Sequence, residues 1–295
     1  MSSKLISRKW IQKLLPVCDG DLAHAKRQLE WLKEKVTLDS SGNSSKSIYS
    51  LSNAEQDQLD EYILQRTEQH KPLQYILGTQ PFCELDIVTR PPILIPRWET
   101  EEWTYRVIDL IRSQLSTIKK PLRILDICTG SGCISLALAR HLPNNSVHIT
   151  GLDISSEAIA LSNHNLNVHQ ALLQNPVEFH VEDIFEYKPS DDVHLIVSNP
   201  PYITNEEYAA LDPEVKDWED ARALVASDQG TRVHQRIIQV AKHCKPLLQG
   251  PHLFMEIGGA HQIGLLSGMM LQQAFTFVDV WKDLAAKDRV ITAGF

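Results

Sequence analysis

The sequence predicts an α/β fold in which a mostly parallel sheet with an antiparallel edge strand follows a small helical domain. From residue 121 onward, short apolar runs alternate with amphipathic stretches of ten or more residues, which is typical of parallel strands joined by helices. Before residue 78 the periodicity is helical only, and a length of 295 residues favours two domains. We therefore expect a helical domain at 1–78, a β-hairpin linker at 79–99 and an α/β domain at 100–295.

The N-terminal part is predicted to form three helices. Apolar residues recur at helical spacing over residues 5–36, with an interruption near Pro16. A Ser/Gly/Asn-rich loop, LDSSGNSSKS from residue 38, follows, and a third helix begins near Ser52. The linker sequence FCELDIVTRPPILIP alternates apolar and polar residues, and prolines close each run, which predicts short edge strands or a hairpin. RWETEEW then opens a helix whose apolar face is Trp103, Val107, Leu110, Ile111 and Ile118.

The α/β part is predicted to contain seven strands, of which the last two pair antiparallel at one edge. Helices are expected at CISLALARHL, at SEAIALSNHNLNVH and around residues 231–247. The strand sequences are LRILDI, VHITGLDI, VEFHVEDI, HLIVSN, GPHLFMEI, FTFVDVW and DRVITAGF.

Composition excludes several function classes. The net charge is −8, which argues against a nucleic-acid binder that works by bulk charge. Five scattered cysteines without a CxxC pair make a structural zinc site or a disulfide framework unexpected and favour a reducing compartment. We expect no membrane segment, because no apolar run approaches the ~20 residues that a bilayer requires.

The chain start, MSSKLISRKWIQKLL, is basic and carries no acidic residue before Asp19. This composition resembles a mitochondrial transit segment. An ordinary first helix of the folded domain explains it equally well, so a mitochondrial and a cytoplasmic location both stay open on this evidence.

A glycine turn follows the first strand of the α/β part. In LDICTGSGC, Asp126 ends the strand, and Gly130 and Gly132 precede a helix, so backbone can approach a ligand closely beside free helix N–H groups. The dinucleotide fingerprint G-x-G-x-x-G would need a third glycine at position 135, where the chain has Ser135. The turn therefore argues against NAD or FAD.

The next two strands also end in acids. Asp153 lies about twenty residues after the turn, where a carboxylate can accept both ribose hydroxyls, and Asp183 is placed to reach an adenine amine. Each acid alone could instead cap the following helix. Together they suit an adenosine without pyrophosphate, which predicts S-adenosylmethionine as the cofactor.

The fourth strand ends in LIVSNPPYI. Asn199 offers a carboxamide oxygen and Pro200 a backbone carbonyl without a competing N–H, so the two acceptors can hold both hydrogens of one planar –NH₂ group. Tyr202 offers a flat face for that group. Held in this way, the nitrogen lone pair can attack a sulfonium methyl in line, and the nitrogen can lose its proton afterwards. The simpler alternative is that the prolines only end a strand.

These motifs resemble those of amino-methyltransferases that act on planar nitrogens, and over nearly the whole chain they resemble the HemK/PrmC family. KPLQYILGTQPF and ILIPRWETEEW are similar to its linker signatures P-x-x-Y-x-x-G and I-P-R-x-x-T-E, and ALVASDQG and MEIG to later segments. The resemblance implies a Rossmann-like class I methyltransferase domain after a helical substrate-recognition domain. It further implies methylation, by S-adenosylmethionine, of the glutamine in the GGQ motif of a class I peptide-chain release factor.

The resemblance also implies residue roles, without a metal. The methyl donor would be held by Cys128, Thr129, Gly130, Ser131, Gly132, Asp153, Asp183, Ile184 and Asn199. The substrate glutamine would be held by Asn199, Pro200, Pro201 and Tyr202, of which Asn199, Pro200 and Tyr202 act in catalysis.

Two positions depart from the family pattern. Cys128 stands where many members have glycine, and Trp98 where bacterial members more often have proline. The tryptophan is similar to the fungal mitochondrial branch, and this resemblance favours a mitochondrial over a cytoplasmic location. Arg97, Glu99 and Thr100 fit either a substrate loop or a helix start, and we favour a linker that contributes to the cofactor pocket.

Two other functions are compatible with part of this pattern. A nucleic-acid adenine methyltransferase would hold a flipped-out adenine at the same Asn-Pro-Pro-Tyr site, but the acidic charge and the lack of a large basic domain argue against it and against stable nucleic-acid binding. A non-catalytic, cofactor-binding assembly protein would not need the uninterrupted set of catalytic-type residues.

Overall fold

The structure is a computed structural model that describes residues 3–41, 51–189 and 192–295. The chain divides into two compact units. The first comprises residues 1–79 together with Asp212–Trp218, and the second comprises Gln80–Leu211 and Glu219–Phe295.

The first unit is a helical bundle around one apolar core. The capping box formed by Ser52 and Glu55 begins its third helix, as the sequence indicates, and the interruption at Pro16 is a short 3₁₀ turn. The core includes the buried side chains of Trp10, Leu14 and Leu59. The helices of residues 3–79 are α1 (Ser3–Leu14), α2 (Leu22–Ser41), α3 (Asn53–Thr67) and α4 (Leu73–Leu77).

The loop predicted from residue 38 is wrong in its first residues, because α2 continues to Ser41. Polar residues are held in helical conformation there by tertiary partners. Asp39 accepts hydrogen bonds from Lys35 at 2.9 Å and from the hydroxyl of Tyr62 at 2.7 Å, and Ser40 donates to Glu55 of α3 at 2.7 Å. The rest of the predicted loop, residues 42–47, lies outside the described residues.

Segment Asp212–Trp218 packs with the helices of the first unit. The indole N–H of Trp218 donates to the carbonyl of Gln69 at 2.9 Å, and Arg66 forms an ion pair with Glu214 at 2.8 Å. Lys71 lies over the Trp218 ring at 5.4 Å. Nothing in the sequence pattern indicates that these seven residues pack with the helices.

The second unit begins with the predicted hairpin and continues into a seven-stranded sheet. The hairpin strands are β1 (Thr79–Phe82) and β2 (Leu85–Val88). The sheet strands are β3 (Leu122–Ile127), β4 (Val147–Asp153), β5 (Val177–Val181), β6 (Leu195–Ser198), β7 (Leu253–Glu256), β8 (Phe277–Lys282) and β9 (Asp288–Gly294).

The strand order in the sheet is β5-β4-β3-β6-β7-β9-β8. The first five strands in this order are parallel, and β9 pairs antiparallel with both β7 and β8. This confirms the predicted mostly parallel sheet with antiparallel pairing at one edge. From β3, strands β4 and β5 follow on one side and strands β6 and β7 on the other, so the direction of the strand order reverses at β3. Open α/β sheets bind ligands at the carboxyl ends of the strands at such a switch point.

Helices cover both faces of this sheet. The longer helices are α5 (Trp98–Gln114), α6 (Cys133–His141), α7 (Ser156–His169), α12 (Arg232–Ala241) and α13 (Ala260–Gln272). Short helical segments lie between β6 and α12: α8 (Asn205–Ala209), α9 (Pro213–Lys216), α10 (Ala221–Leu224) and α11 (Ser227–Gly230). Sequence periodicity did not predict α13, whose sequence AHQIGLLSGMMLQ contains two glycines and lacks a clear polar face.

The predicted apolar face of α5 is correct for Trp103, Val107 and Ile111, which are buried. It is wrong for Ile118, because α5 ends at Gln114. The run ILIP forms no strand.

Candidate active site

The glycine turn connects β3 to α6 through three residues with positive φ. Cys128 has φ 60°, Gly130 has φ 57° and Gly132 has φ 81°. A Cβ at Gly132 would approach Phe179 Cζ at 2.8 Å, whereas a Cβ at Gly130 would meet nothing within 4 Å. Gly132 is therefore required by packing, and Gly130 leaves open space where a ligand can approach the backbone.

Asp126 stabilises the turn through hydrogen bonds to residues that follow it in the chain. It is fully buried, and its Oδ2 accepts hydrogen bonds from the hydroxyls of Thr129 and Ser135, both at 2.7 Å. Burial raises the pKa of Asp126 to about 6. Its Oδ1 is buried and has no hydrogen-bond partner among the described residues.

Asp153 joins the end of β4 to the turn. Its Oδ2 accepts from the backbone N–H of Gly130 at 2.9 Å, and its Oδ1 accepts from that of Ser155 at 2.9 Å. Burial raises its pKa. Each carboxylate oxygen retains a second lone pair, so Asp153 can accept hydroxyl donors while it fixes the turn.

A cavity of about 320 Å³ lies at the carboxyl ends of β3, β4 and β6. The predicted residues that line it are Cys128, Gly130, Asp153, Asp183, Ile184, Asn199 and Pro201. Thr129, Ser131, Gly132, Pro200 and Tyr202 do not line it; the first three belong to the turn and the other two surround Pro201 in the chain. Of the linker residues, Ile93 and Leu94 form part of the wall, whereas Arg97, Glu99 and Thr100 do not.

The end of the cavity near β5 is apolar with a carboxylate beside it. Asp183 lies two residues beyond β5, and its Oδ1 accepts from the backbone N–H of Phe185 at 2.9 Å. Ile154, Ile184 and Phe185 supply apolar surface to this part of the wall. A flat aromatic base with an exocyclic amine fits such an environment.

The segment after β6 returns to close one side of the cavity. Ile203 and Val225 form a parallel bridge, and Asp220 donates its N–H to the carbonyl of Pro92 at 2.8 Å. Arg222 binds the Asp220 carboxylate through two nitrogens at 3.0 and 2.6 Å, and its hydrogen bonds lower the pKa of that carboxyl. Sequence reasoning missed both residues, because a charged pair in a loop carries no periodic signal.

Asn199 lies at the end of β6 and is connected to a buried carboxylate. Its Nδ2 donates to the hydroxyl oxygen of Thr100 at 3.2 Å, and that hydroxyl donates to Glu256 Oε2 at 2.7 Å. Trp103 Nε1 donates to the same oxygen at 2.9 Å, and the Tyr202 hydroxyl donates to Glu256 Oε1 at 3.2 Å. Glu256 is 1% exposed, and burial raises its pKa.

Tyr202 is fixed by its backbone as well as by its hydroxyl. Gln262 Nε2 donates to the Tyr202 carbonyl at 3.0 Å, and a Cβ at Gly230 would collide with that carbonyl oxygen. Burial raises the pKa of the Tyr202 hydroxyl, which therefore stays a neutral donor. In this structure the hydroxyl is bound to Glu256 and Tyr202 does not line the cavity, so its predicted contact with the substrate stays a prediction.

The sequence analysis assigns no role to Glu256, although the segment MEIG, which contains it, resembles a segment of the family. The available signal was an acid at the end of a buried apolar strand, the same signal that identified Asp126 and Asp153. Its partners Thr100 and Trp103 are 156 and 153 residues away in the chain, so local pattern could not pair them.

The residues fit an adenosine-containing sulfonium cofactor. Gly130 leaves room at the turn, Asp153 provides acceptors, and the apolar end of the cavity suits a base. The lining carboxylates of Asp153, Glu182 and Asp183 favour a ligand with positive charge. In the described part of the chain, every helix is too short or too polar to cross a membrane.

Comparisons with known proteins point to one class of enzyme. The family profile of the Methyltransferase small domain matches residues 109–214. The chain is 34% identical over 290 residues to a release factor glutamine methyltransferase of Geobacter sulfurreducens, with 95% of each protein covered. It is also 34% identical over 240 residues to a probable MRF1 mitochondrial N(5)-glutamine methyltransferase of Schizosaccharomyces pombe, covering 75% of this chain and 74% of that one.

A solved structure supports the fold. The catalytic domain of hMettl16, solved in complex with an MAT2A 3'UTR hairpin, aligns with a TM-score of 0.53 at 17% identity over 83% of this chain and 82% of that one. At this identity the likeness concerns the class I methyltransferase fold alone.

Proposed function

The chain belongs to the release factor glutamine methyltransferase family, and from this membership we propose that it methylates the side-chain amide of the GGQ glutamine in a class I peptide-chain release factor. It is an S-adenosylmethionine-dependent protein-glutamine N-methyltransferase. The observation that carries the proposal in the structure is Asn199, a carboxamide at the cavity wall whose N–H is already bound to Thr100.

The cofactor would be held by the residues around the cavity. Gly130 and Asp153 would bind the sugar and methionine portions, and Asp183 with Ile184 the adenine. When bound, S-adenosylmethionine supplies a methyl group activated by its positively charged sulfur. The helical first unit would recognise the protein substrate.

The substrate amide would be held by two acceptors. Asn199 Oδ1 accepts one N–H and the carbonyl of Pro200 accepts the other, which turns the nitrogen lone pair toward the cavity. The bound cofactor would supply its methyl group to this nitrogen and keep the electron pair of the broken carbon–sulfur bond on sulfur, and the methylated nitrogen would release one proton to water. Because the proton leaves after the positive charge forms, no side chain has to act as a strong base.

One assay tests the choice of macromolecule. Purified protein receives labelled methyl donor together with release factor, RNA or DNA in parallel reactions. We expect label in the release factor alone. Label in RNA or DNA would support the adenine methyltransferase instead, and label in none of them would support a non-catalytic role.

We further propose that the protein acts in mitochondria on the bacterial-type release factor there. The basic start before Asp19 and the S. pombe relative support this, although bacterial relatives match equally well. Helix α1 is also part of the folded unit, since Trp10 and Leu14 are buried in its core. If residues 1–20 direct the protein to mitochondria, the same segment also supplies core residues to the folded first unit.

Microscopy of two fusions tests the location. One carries residues 1–20 before a fluorescent reporter, and the other carries the whole chain before the reporter. We expect mitochondrial signal from the whole chain. A diffuse cytosolic signal from both fusions would overturn the proposal and favour the cytoplasm.

A further inference from the structure

Glu256 determines which way the hydroxyl of Thr100 donates. The carboxylate can only accept, and it receives the Thr100 hydroxyl at 2.7 Å in a site that is 1% exposed. A threonine hydroxyl has one proton, so the oxygen of Thr100 is left to accept from its other neighbour. That neighbour is Asn199 Nδ2, at 3.2 Å.

The orientation of Asn199 follows from this direction. A carboxamide has a donor side and an acceptor side of nearly equal shape, and only its hydrogen-bond partners distinguish them. With one of the two Nδ2 hydrogens donated to Thr100, Oδ1 is the acceptor that the carboxamide offers to the cavity that Asn199 lines. The reversed carboxamide would place Oδ1 against an oxygen that has no proton to give.

We propose that Glu256 and Thr100 are positioning residues that present the Asn199 oxygen to the substrate N–H, and that the Glu256 charge stabilises the positive charge that forms on the substrate nitrogen. The inference rests on the proposed function. Hydrogen bonds in a chain polarise one another, so a carboxylate at one end strengthens the acceptor at the other. A fixed charge in a water-excluded site acts on developing charge without reorganisation.

The surroundings keep this charge in place. Trp103 and Tyr202 donate to Glu256 at 2.9 and 3.2 Å. Arg289 favours its ionised form from nearby and is itself paired with Asp283 at 3.0 Å. Burial raises the pKa of Glu256, and these donors together with Arg289 act against that shift, so they favour the carboxylate form on which the inference depends.

Matched variants separate orientation from charge. Thr100→Val keeps the shape but removes the hydroxyl, and Thr100→Ser keeps the hydroxyl. We expect Thr100→Val to lower kcat for a GGQ peptide by roughly 10- to 100-fold and Thr100→Ser to stay within about threefold of wild type. Glu256→Gln can still accept from Thr100 and Trp103 but is neutral, and we expect kcat to fall about 10-fold with KM little changed.

Two further readouts distinguish positioning from general structural support. In an Asn199→Ala background, Thr100→Val should cause no additional loss of kcat, because its effect passes through Asn199. Without turnover, the side-chain amide ¹H–¹⁵N signals of Asn199 should exchange with solvent faster in Thr100→Val than in wild type or Thr100→Ser. Calorimetric titration of S-adenosylmethionine checks that each variant is folded. If Thr100→Val does not fold, the kcat of Glu256→Gln tests the inference in its place.

The outcomes distinguish this inference from the proposed function. If wild type transfers no methyl group to the GGQ peptide, the proposed function fails. The positioning role is tested without activity, because an unchanged rate of Asn199 amide exchange in Thr100→Val would overturn it. If wild type is active and Thr100→Val and Glu256→Gln both keep full kcat, or if Thr100→Val and Asn199→Ala are additive, the inference is overturned while the proposed function stands.

Discussion

At the scale of single residues, Asn199 has both ends of its carboxamide assigned to a task. Its nitrogen donates to Thr100, and we propose that its oxygen accepts a substrate N–H. A carboxylate at this position would keep the shape and lose the donor. It would also face Thr100, whose single proton already goes to Glu256.

Asn199→Asp is therefore expected to slow glutamine methylation strongly. A lost buried hydrogen bond together with repulsion from Glu256 corresponds to ~2–4 kcal/mol, or on the order of 30- to 1,000-fold in rate. Steady-state kinetics with a GGQ peptide measure this, and calorimetry of cofactor binding serves as the control. A near wild-type rate would refute the amide-holding role, and a gain of activity on adenine would favour the nucleic-acid rival.

Asp126 gives stability a pH dependence whose sign follows from its environment. Its pKa is raised from 3.8 to about 6 by burial, so between these values the folded protein holds a proton that the unfolded chain has released. The stabilisation from this group is full below pH 3.8 and is lost as pH rises toward 6, by up to about 3 kcal/mol.

Asp126→Asn should remove this contribution, because an amide oxygen can still accept from Thr129 and Ser135 but does not titrate. We expect the free energy of unfolding of wild type to fall relative to the variant as pH rises from about 4 to about 6. Urea unfolding of both proteins without cofactor across this range measures the difference. Parallel pH curves would show that Asp126 is not protonated in the folded state.

At the scale of elements, the turn between β3 and α6 combines backbone strain with close packing. Cys128 occupies φ 60°, a conformation that costs a residue with a side chain roughly 1–2 kcal/mol and that glycine adopts more readily. The same turn has two glycines with different surroundings. These two positions allow the structural and ligand-binding roles of the turn to be tested separately.

Gly132→Ala and Gly130→Ala form this matched pair. Both add a Cβ at positive φ, but only at Gly132 does it collide, with Phe179 Cζ at 2.8 Å. We expect Gly132→Ala to lower the free energy of unfolding by about 1–3 kcal/mol more than Gly130→Ala does. Gly130→Ala should mainly weaken cofactor binding, since Gly130 lines the cavity. Thermal unfolding and calorimetry measure the two effects, and equal destabilisation by both would contradict the packing argument.

Much of the element pattern could be predicted from sequence, because a buried parallel strand and its covering helix each leave a local period. Asp126, Asp153 and Asn199 were found as polar residues that end apolar runs. The Thr100–Glu256 contact was not found, because a partner 156 residues away is determined by the packing of α5 against β7 and has no local signal. Helix α2 was predicted too short for the same reason, since its polar end depends on contacts with α3.

At the scale of the whole molecule, the chain combines a helical unit with a methyltransferase unit whose cavity lies at the switch point of the sheet. The switch point brings the glycine turn, Asp153 and Asn199 to one edge, although they are spread over about seventy residues of sequence. In the proposed function, this placement would bring the cofactor methyl carbon and the planar substrate nitrogen together at Asn199. The account therefore predicts the identity of the methylated atom as well as the methylated protein.

Tandem mass spectrometry of the methylated release factor tests that claim most directly. The factor is treated with this protein and labelled S-adenosylmethionine and then digested, and the labelled peptide is fragmented to locate the added methyl group. We expect one methyl group on the side-chain amide nitrogen of the GGQ glutamine, and a strongly reduced fraction of labelled peptide after the same reaction time when Asn199→Ala replaces wild type. A methyl group on another residue, or full labelling by Asn199→Ala, would contradict it.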